Sequence, residues 1–135
     1  MSAEFSILRR VTFAETDMAG VAHFSNYFRW MEEVEHAFFR SVGLSVAMQH
    51  EGREIGWPRV AVSCEYLGPV RFENEIELRM RVLKVGEKSF SYEVEFKKAG
   101  QAVAVGKATS VCCTVGPEGA LNPISIPPEI RQKLA

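Results

Sequence analysis

The sequence predicts an α+β fold in which one curved antiparallel sheet of about five strands wraps around one long helix. Two patterns carry this prediction. Apolar residues recur at spacings of three and four from Phe24 to Val42, which is the period of an amphipathic helix. One segment that alternates in part precedes this helix, and four strand-like segments follow it, the last of which, residues 102–115, is almost continuously apolar. Because one helix with a broad apolar stripe needs a cover, the sheet must curl around it.

The first strand and the helix are separated by a loop. Residues 5–13 alternate in part and indicate a strand, whereas residues 14–23 have no period and contain Asp17 and Gly20. The helix is expected to begin at Phe24. Gly43 followed by Leu44 is typical of a helix that ends with a left-handed glycine.

Four further strands are predicted in the second half of the chain. Their apolar positions fall within residues 60–64, 76–85, 90–96 and 102–115. Glycines and a proline between the segments suit tight antiparallel connections. Residues 45–58 are expected to form a loop with at most one short helical turn. The tail after Gly116 is expected to be mostly irregular, with a final turn from Pro128 to Leu134.

Composition indicates an ordinary globular protein with a single domain over residues 1–135. The chain is 47% hydrophobic and 24% charged, and its formal net charge is -1. This balance does not favour nucleic acid or an anionic membrane surface, which need clustered Lys and Arg. The polar start Met1-Ser2-Ala3-Glu4 is unlike a secretory signal, so we expect a cytoplasmic protein. Three cysteines occur without zinc-ligand spacing, and no metal site is predicted.

The loop ahead of the helix is the best candidate for chemistry. Asp17 lies in this loop, close to a helix N-terminus that presents unpaired N–H groups and a partial positive charge. Such a terminus suits an oxyanion or a polarised carbonyl. Gly20 is expected to permit a turn or a close approach of substrate that a side chain would block.

The stretch from Asp17 to Trp30 reads DMAGVAHFSNYFRW. It resembles the motif of the hotdog-fold acyl-CoA thioesterases, in particular the 4-hydroxybenzoyl-CoA thioesterase family. The resemblance implies an acyl-CoA thioesterase, with Asp17 as nucleophile or general base and the backbone N–H of Phe24 as the oxyanion donor. It also implies a homodimer or homotetramer with active sites at subunit interfaces. Coenzyme A would be part of the substrate, and no separate cofactor is expected.

Further residues are candidates for substrate binding. His23 suits a wall of the acyl pocket or an acid or base, Asn26 suits a hydrogen bond to the Asp17 loop, and Tyr27 suits either the core or the pocket. Glu35 falls inside the apolar stripe, so it is either the partner of a buried basic group or a second catalytic acid. Lys88 is a candidate contact for the phosphates of coenzyme A. The candidates for substrate binding are therefore Gly20, His23, Asn26, Tyr27, Glu35 and Lys88.

Two other functional classes stay open from the sequence. Hotdog hydratases and dehydratases use a histidine with an acid near the helix, and His23 is the candidate for that role. A non-catalytic acyl-CoA-binding protein is the third class. The aromatic-rich motif around Asp17 favours an aryl acyl group, such as hydroxybenzoyl or dihydroxynaphthoyl, over a long fatty chain.

Overall fold

The computed structural model describes residues 4–135, so residues 1–3 of the polar N-terminus lie outside the described range. These residues form two α-helices, nine strands and two short 3-10 helices, Phe13–Glu15 and Pro117–Gly119. The helices are α1 (Asn26–Ser41) and α2 (Pro128–Leu134). The strands are β1 (Glu4–Arg10), β2 (Met48–His50), β3 (Arg53–Gly56), β4 (Arg59–Tyr66), β5 (Glu75–Val85), β6 (Ser89–Lys98), β7 (Gln101–Val111), β8 (Cys113–Val115) and β9 (Leu121–Pro123).

The strands form two sheets. The main sheet has five antiparallel strands in the order β1-β5-β6-β7-β4, and α1 packs across its inner face. The predicted α+β architecture of one long helix against five strands is therefore confirmed for the main sheet. Within residues 4–135, no helix combines the length and apolar character that crossing a membrane requires.

Helix α1 ends as the sequence predicts. Gly43 has φ +81°, its N–H bonds the carbonyl of Arg40 at 3.0 Å, and the N–H of Leu44 bonds the carbonyl of Phe39 at 2.8 Å. These two hydrogen bonds make a Schellman motif, which satisfies carbonyls that the helix leaves free. The helix begins at Asn26 with Ser25 as its N-cap, two residues later than the predicted start at Phe24.

The core lies between α1 and the inner face of the main sheet. Alternate residues of β5 and β6 point inward, and all of them are at most 5% exposed. Aromatic contacts tie the two layers together, with ring centroids 5.3 Å apart for Tyr27 and Phe96 and 5.9 Å apart for Phe39 and Phe90. Burying each such side chain contributes about 1.5–3 kcal/mol. This packing fixes the position of α1, and hence of the loop that precedes it.

A second sheet was not predicted, and the expectation of a single sheet is wrong in this respect. Strands β2, β3, β8 and β9 pair in that order into a small four-stranded sheet. Its strands β2 and β3 lie within residues 45–58, which were expected to form a loop or a helical turn. Its strand β8 is formed by the end of the segment predicted as one strand over residues 102–115. That segment is divided at Cys112, whose N–H bonds the carbonyl of Lys88 at 2.8 Å.

Strand β4 forms one edge of the main sheet and is exposed along most of its length. Val60 is 63% exposed and Val62 is 47% exposed. An exposed edge with apolar side chains is a surface that proteins usually cover.

Candidate active site

The loop between β1 and α1 is a tight hairpin around Asp17. The N–H of Asp17 bonds the carbonyl of Val21 at 2.8 Å, and the N–H of Gly20 bonds the carbonyl of Asp17 at 2.9 Å. Gly20 has φ +80°, a left-handed conformation that a side chain would strain. An isolated bridge between Thr16 and Ala22 closes the hairpin. The loop therefore turns back on itself, so that its two ends run side by side.

The Asp17 side chain holds the loop with one of its oxygens. Its Oδ1 accepts the N–H of Ala19 at 2.8 Å and the N–H of Val21 at 3.4 Å. In the described part of the chain, Oδ2 has no hydrogen-bond partner, and the side chain is exposed. A carboxylate held in this way keeps one oxygen free to attack a carbonyl or to accept a proton from water.

The backbone around Phe24 has a free donor. The carbonyl of Phe24 accepts the N–H of Tyr27 at 3.3 Å and the hydroxyl of Tyr66 at 3.1 Å. The N–H of Phe24 has no acceptor among residues 4–135. It lies just ahead of the α1 N-terminus, where the helix dipole contributes partial positive charge. An unpaired donor in this field can stabilise a developing oxyanion.

Glu15 fastens the loop to the rest of the protein. Its carboxylate accepts hydrogen bonds from the backbone N–H of Thr12 at 2.8 Å, the indole N–H of Trp30 at 2.9 Å and the guanidinium of Arg9 at 2.5 Å. Burial alone would raise the pKa of Glu15, but these hydrogen bonds together lower it. The Glu15 carboxylate is thus a fixed negative anchor between β1 and α1.

Asn26 and Tyr27 link the start of α1 to its surroundings. The side-chain amide of Asn26 donates to the Glu15 carbonyl at 2.8 Å, and the N–H of His23 donates to the same carbonyl at 2.8 Å. Tyr27 is 3% exposed and packs edge-on against Tyr66. Its burial raises the pKa of its hydroxyl to about 12. Asn26 is a strap between loop and helix, and Tyr27 belongs to the core.

His23 is exposed beside the loop. Its Nδ1 lies 2.8 Å from the Ser25 hydroxyl, and its ring stacks on Phe24 with centroids 4.5 Å apart. The described residues provide no carboxylate within ion-pair distance of His23. The geometry suits a pocket wall better than the histidine and acid pair of a hydratase.

A groove lies between α1 and β4, and on the helix its lining begins at Phe28, four residues after Phe24. Tyr66 bonds Phe24 at one end, and Arg59 forms an ion pair with Glu35 at the other, so β4 runs antiparallel to α1. The groove has a volume of about 310 Å³. Its lining residues are Phe28, Arg29, Met31, Glu32, Arg59, Val62, Tyr92 and Ala108.

The model of a thioesterase-like superfamily matches residues 11–134. The chain belongs to the thioesterase-like superfamily. It is 33% identical to a putative esterase from Aquifex aeolicus over 96% of this chain and 97% of that one. It is 31% identical to a 1,4-dihydroxy-2-naphthoyl-CoA hydrolase from Prochlorococcus marinus over 70% of this chain and 66% of that one.

The solved structure of another thioesterase supports the family assignment. The structure of a gentisyl-coenzyme A thioesterase superposes with a TM-score of 0.83 and 30% identity, covering 97% of this chain and 100% of that chain. The resemblance inferred from the Asp17–Trp30 motif is thereby confirmed. This thioesterase-like chain combines the superfamily fold with a free carboxylate oxygen and a free backbone donor at one helix terminus.

Two of the residues predicted to bind substrate, Glu35 and Lys88, lie away from Asp17 of the same chain. Glu35 is eleven residues beyond Phe24, which corresponds to about 16 Å along a helix. It is 1% exposed, and burial raises its pKa to about 7 although Arg59 acts to lower it. Lys88 is exposed in the β5–β6 connection. It is two residues before Phe90 of β6, whose ring packs against Phe39 near the C-terminal end of α1.

Sequence reasoning missed the groups that hold the site together. The Glu15 anchor was detectable, since Thr12-x-x-Glu15 matches the capping-box pattern and a buried indole such as Trp30 needs an acceptor. Arg71 was missed as well. It forms an isolated bridge with Val21 of the loop, and its guanidinium would lie 3.8 Å from a Cβ on Gly20. No sequence pattern pointed to Tyr66 as a hydrogen-bond partner of the Phe24 carbonyl.

Proposed function

We propose that this protein is an acyl-CoA thioesterase that hydrolyses an aryl acyl-CoA to the free acid and coenzyme A. The observation that carries the proposal is the free N–H of Phe24 beside the Asp17 loop, at the helix start of a chain from the thioesterase-like superfamily. In this reaction a water oxygen ends on the carbonyl carbon and the C–S bond breaks. The thiolate then takes up a proton to give coenzyme A.

The chemistry needs few groups. A thiolate leaves readily, so acid assistance is less important than a nucleophile and an oxyanion donor. Asp17 supplies the first by attacking the carbonyl or by deprotonating water. The Phe24 N–H supplies the second, and one such donor typically contributes about 3 kcal/mol to barrier lowering.

The aryl acyl group is supported by the walls of the site and by relatives. Phe24 is 61% exposed with His23 stacked on it, which gives an aromatic surface beside the free N–H. Two similar proteins bear names with aromatic acyl groups, 1,4-dihydroxy-2-naphthoyl and gentisyl. Flat hydroxylated rings are thus the acyl groups we propose to test first.

The proposal includes a second copy of the chain. Asp17 and Phe24 are exposed in a single chain, and β4 beside them presents apolar side chains such as Val62 along an unpaired edge. Pairing of this edge with another copy would cover both features. Lys88 lies at the opposite end of α1, so a role in binding the phosphates of coenzyme A would require the neighbouring subunit. Light scattering should give the mass of a dimer or tetramer, and a strict monomer would contradict an interface site.

The test is a thiol-release assay on aryl, short-chain and long-chain acyl-CoA thioesters, with wild type and Asp17→Asn. We expect wild type to be most active on the aryl thioesters. Removing a nucleophile or base should lower kcat at least about 100-fold. An Asp17→Asn enzyme with wild-type activity, or a wild type inactive on the whole panel, would overturn the proposal.

A further inference from the structure

Several buried polar groups belong to residues near Arg59, which lines the α1–β4 groove. Within residues 4–135, three side-chain polar atoms are buried without a hydrogen-bond partner, namely Trp57 Nε1, Tyr92 Oη and Ser110 Oγ. Native proteins pair nearly all such groups, so each exception calls for an explanation. An unpaired buried polar group costs about 1–3 kcal/mol, which makes three together a substantial penalty.

All three atoms belong to residues around Arg59. Ser110 lies directly opposite Arg59 in the β4–β7 register. Tyr92 lines the groove with Arg59, and its hydroxyl is close enough for the guanidinium to influence its pKa. Trp57 is two residues before Arg59, and its ring contacts Phe90, the register partner of Ser110, at 6.3 Å. Of the three residues, Tyr92 lines the groove itself, which suits its hydroxyl to a polar group of a ligand.

The groove runs from Arg59 along α1 toward the proposed thioester site, as far as Phe28, which is four residues after Phe24. Its middle is apolar, with Phe28, Met31, Val62 and Ala108 on its walls. Met31 is seven residues after Phe24, which is about 10 Å along the helix axis. An acyl group whose carbonyl is at the Phe24 N–H would thus lie along apolar walls before meeting Arg59 and Tyr92. The volume of about 310 Å³ is at the lower end for a small-molecule pocket.

We propose that the far end of this groove is a specificity site, in which the Tyr92 hydroxyl and the Arg59 guanidinium bind a hydroxyl group at the distal end of the acyl group. The inference rests on the proposed thioesterase function and names the substrate class more closely. The preferred acyl group is a two-ring aryl acid that carries a hydroxyl on the ring remote from the thioester. A second ring extends the acyl group further along the groove toward Tyr92 than a single ring does.

Charge favours a neutral hydroxyl over a carboxylate at this place. Arg59 forms an ion pair with Glu35 and lies 3.6 Å from a carboxylate oxygen of Glu32. Two carboxyl groups therefore already face the guanidinium, and an additional carboxylate would meet both of them. Burial and the neighbouring Glu35 raise the pKa of Tyr92, which keeps its hydroxyl protonated as a donor. Glu35 acts here as a positioning residue, because it fixes the Arg59 guanidinium.

The test compares Tyr92→Phe with wild type on matched thioesters, 6-hydroxy-2-naphthoyl-CoA and 2-naphthoyl-CoA. We expect wild type to favour the hydroxylated substrate in kcat/KM. Tyr92→Phe should reduce that preference about tenfold, the effect of about 1.4 kcal/mol. On 2-naphthoyl-CoA, which lacks the hydroxyl, kcat/KM should change less than on the hydroxylated thioester. The variant should fold, since it removes one hydroxyl and the neighbouring Arg59 guanidinium keeps its ion pair with Glu35.

Tyr66→Phe is the matched control. It makes the same chemical change at the Phe24 end of the groove, so it should affect both thioesters equally. A Tyr92→Phe enzyme with unchanged preference would overturn the inference and assign the unpaired hydroxyl to a bound water. The same holds for an equal loss on both thioesters.

A binding measurement separates this inference from the proposed function. Calorimetry with 6-hydroxy-2-naphthoic acid and 2-naphthoic acid requires no hydrolysis. Tighter binding of the hydroxylated acid to wild type, lost in Tyr92→Phe, would support the specificity site even if no thioester were cleaved. Equal affinity for the two acids would overturn it while leaving hydrolysis at Asp17 untouched.

Discussion

The strap from Asn26 to the Asp17 loop gives a prediction whose size follows from the structure. The Asn26 side chain is buried, and its amide donates to the Glu15 carbonyl at 2.8 Å. Asn26→Ala removes this donor and nothing else that the described residues use. The N–H of His23 still donates to the same carbonyl, so the Glu15 carbonyl keeps a hydrogen-bond donor.

The two effects of Asn26→Ala should differ in size. The loss of one hydrogen bond to an acceptor that keeps a second donor should lower stability by about 1 kcal/mol. For a chain of this size that is a drop in Tm of about 3–5 °C. The activity should fall further, because a displacement of about 1 Å at a catalytic group costs up to about 100-fold. We expect kcat to drop about 10- to 100-fold.

The assay is thiol release on the best aryl thioester, with Tm from thermal unfolding of the same samples. Asn122→Ala is the control, since it makes the same substitution at an exposed position in β9. It should leave both quantities near wild type. If Asn26→Ala lowers Tm as expected but keeps kcat within about twofold of wild type, the loop does not depend on this strap for catalysis and the reasoning is refuted.

Two further predictions concern stability. Burial raises the pKa of Glu35 from 4.5 to about 7. The folded state therefore favours the protonated carboxyl group, and this contribution to the free energy of unfolding is complete below pH 4.5 and is lost as pH rises through about 7. In urea unfolding from pH 5 to 8, wild type should therefore lose stability relative to Glu35→Gln, by at most about 3 kcal/mol; a constant or rising difference would contradict the raised pKa. Gly106→Ala would place a Cβ 2.5 Å from the sulfur of buried Met31, which should cost about 1–3 kcal/mol. At Gly68 the nearest atom to a new Cβ is 3.7 Å away, so Gly68→Ala should cost clearly less, and equal losses would refute the packing argument.

The long elements could be predicted because they carry their own periodicity. The stripe of α1 and the alternation in β5 and β6 record which side faces the core. The end of α1 was also predictable, since Gly43 adopts a backbone conformation that favours glycine. The start at Asn26 was not, because the apolar pattern already begins at Phe24 and does not determine the first helical residue.

The small sheet could not be predicted from local patterns. Its strands have three or four residues, too few to show a period. Their pairing is set by tertiary contacts, such as that of Gly56 with Cys113, far apart in the sequence. The same holds for Glu35, whose place in the apolar stripe predicted burial but not its partner. Arg59 is 24 residues away and is brought to Glu35 only by β4 lying along α1.

The candidate site was predictable in part. The motif around Asp17 indicated the loop, the helix terminus and the family, because these lie next to one another in the sequence. The groove and the polar groups at its end come from α1, β4, β6 and β7, and only the folded chain brings them together. The roles of Asp17 and the Phe24 N–H stay predictions for experiment.

The most direct test of the account is the single-turnover rate of Asp17→Asn with a bound aryl acyl-CoA. Asparagine keeps an oxygen that can accept the N–H groups of Ala19 and Val21, so the loop should retain its shape. The account predicts that the affinity for the thioester changes by less than about threefold, while the rate of hydrolysis falls at least about 100-fold. A rate close to that of wild type would contradict the assignment of Asp17 as the attacking or water-activating group.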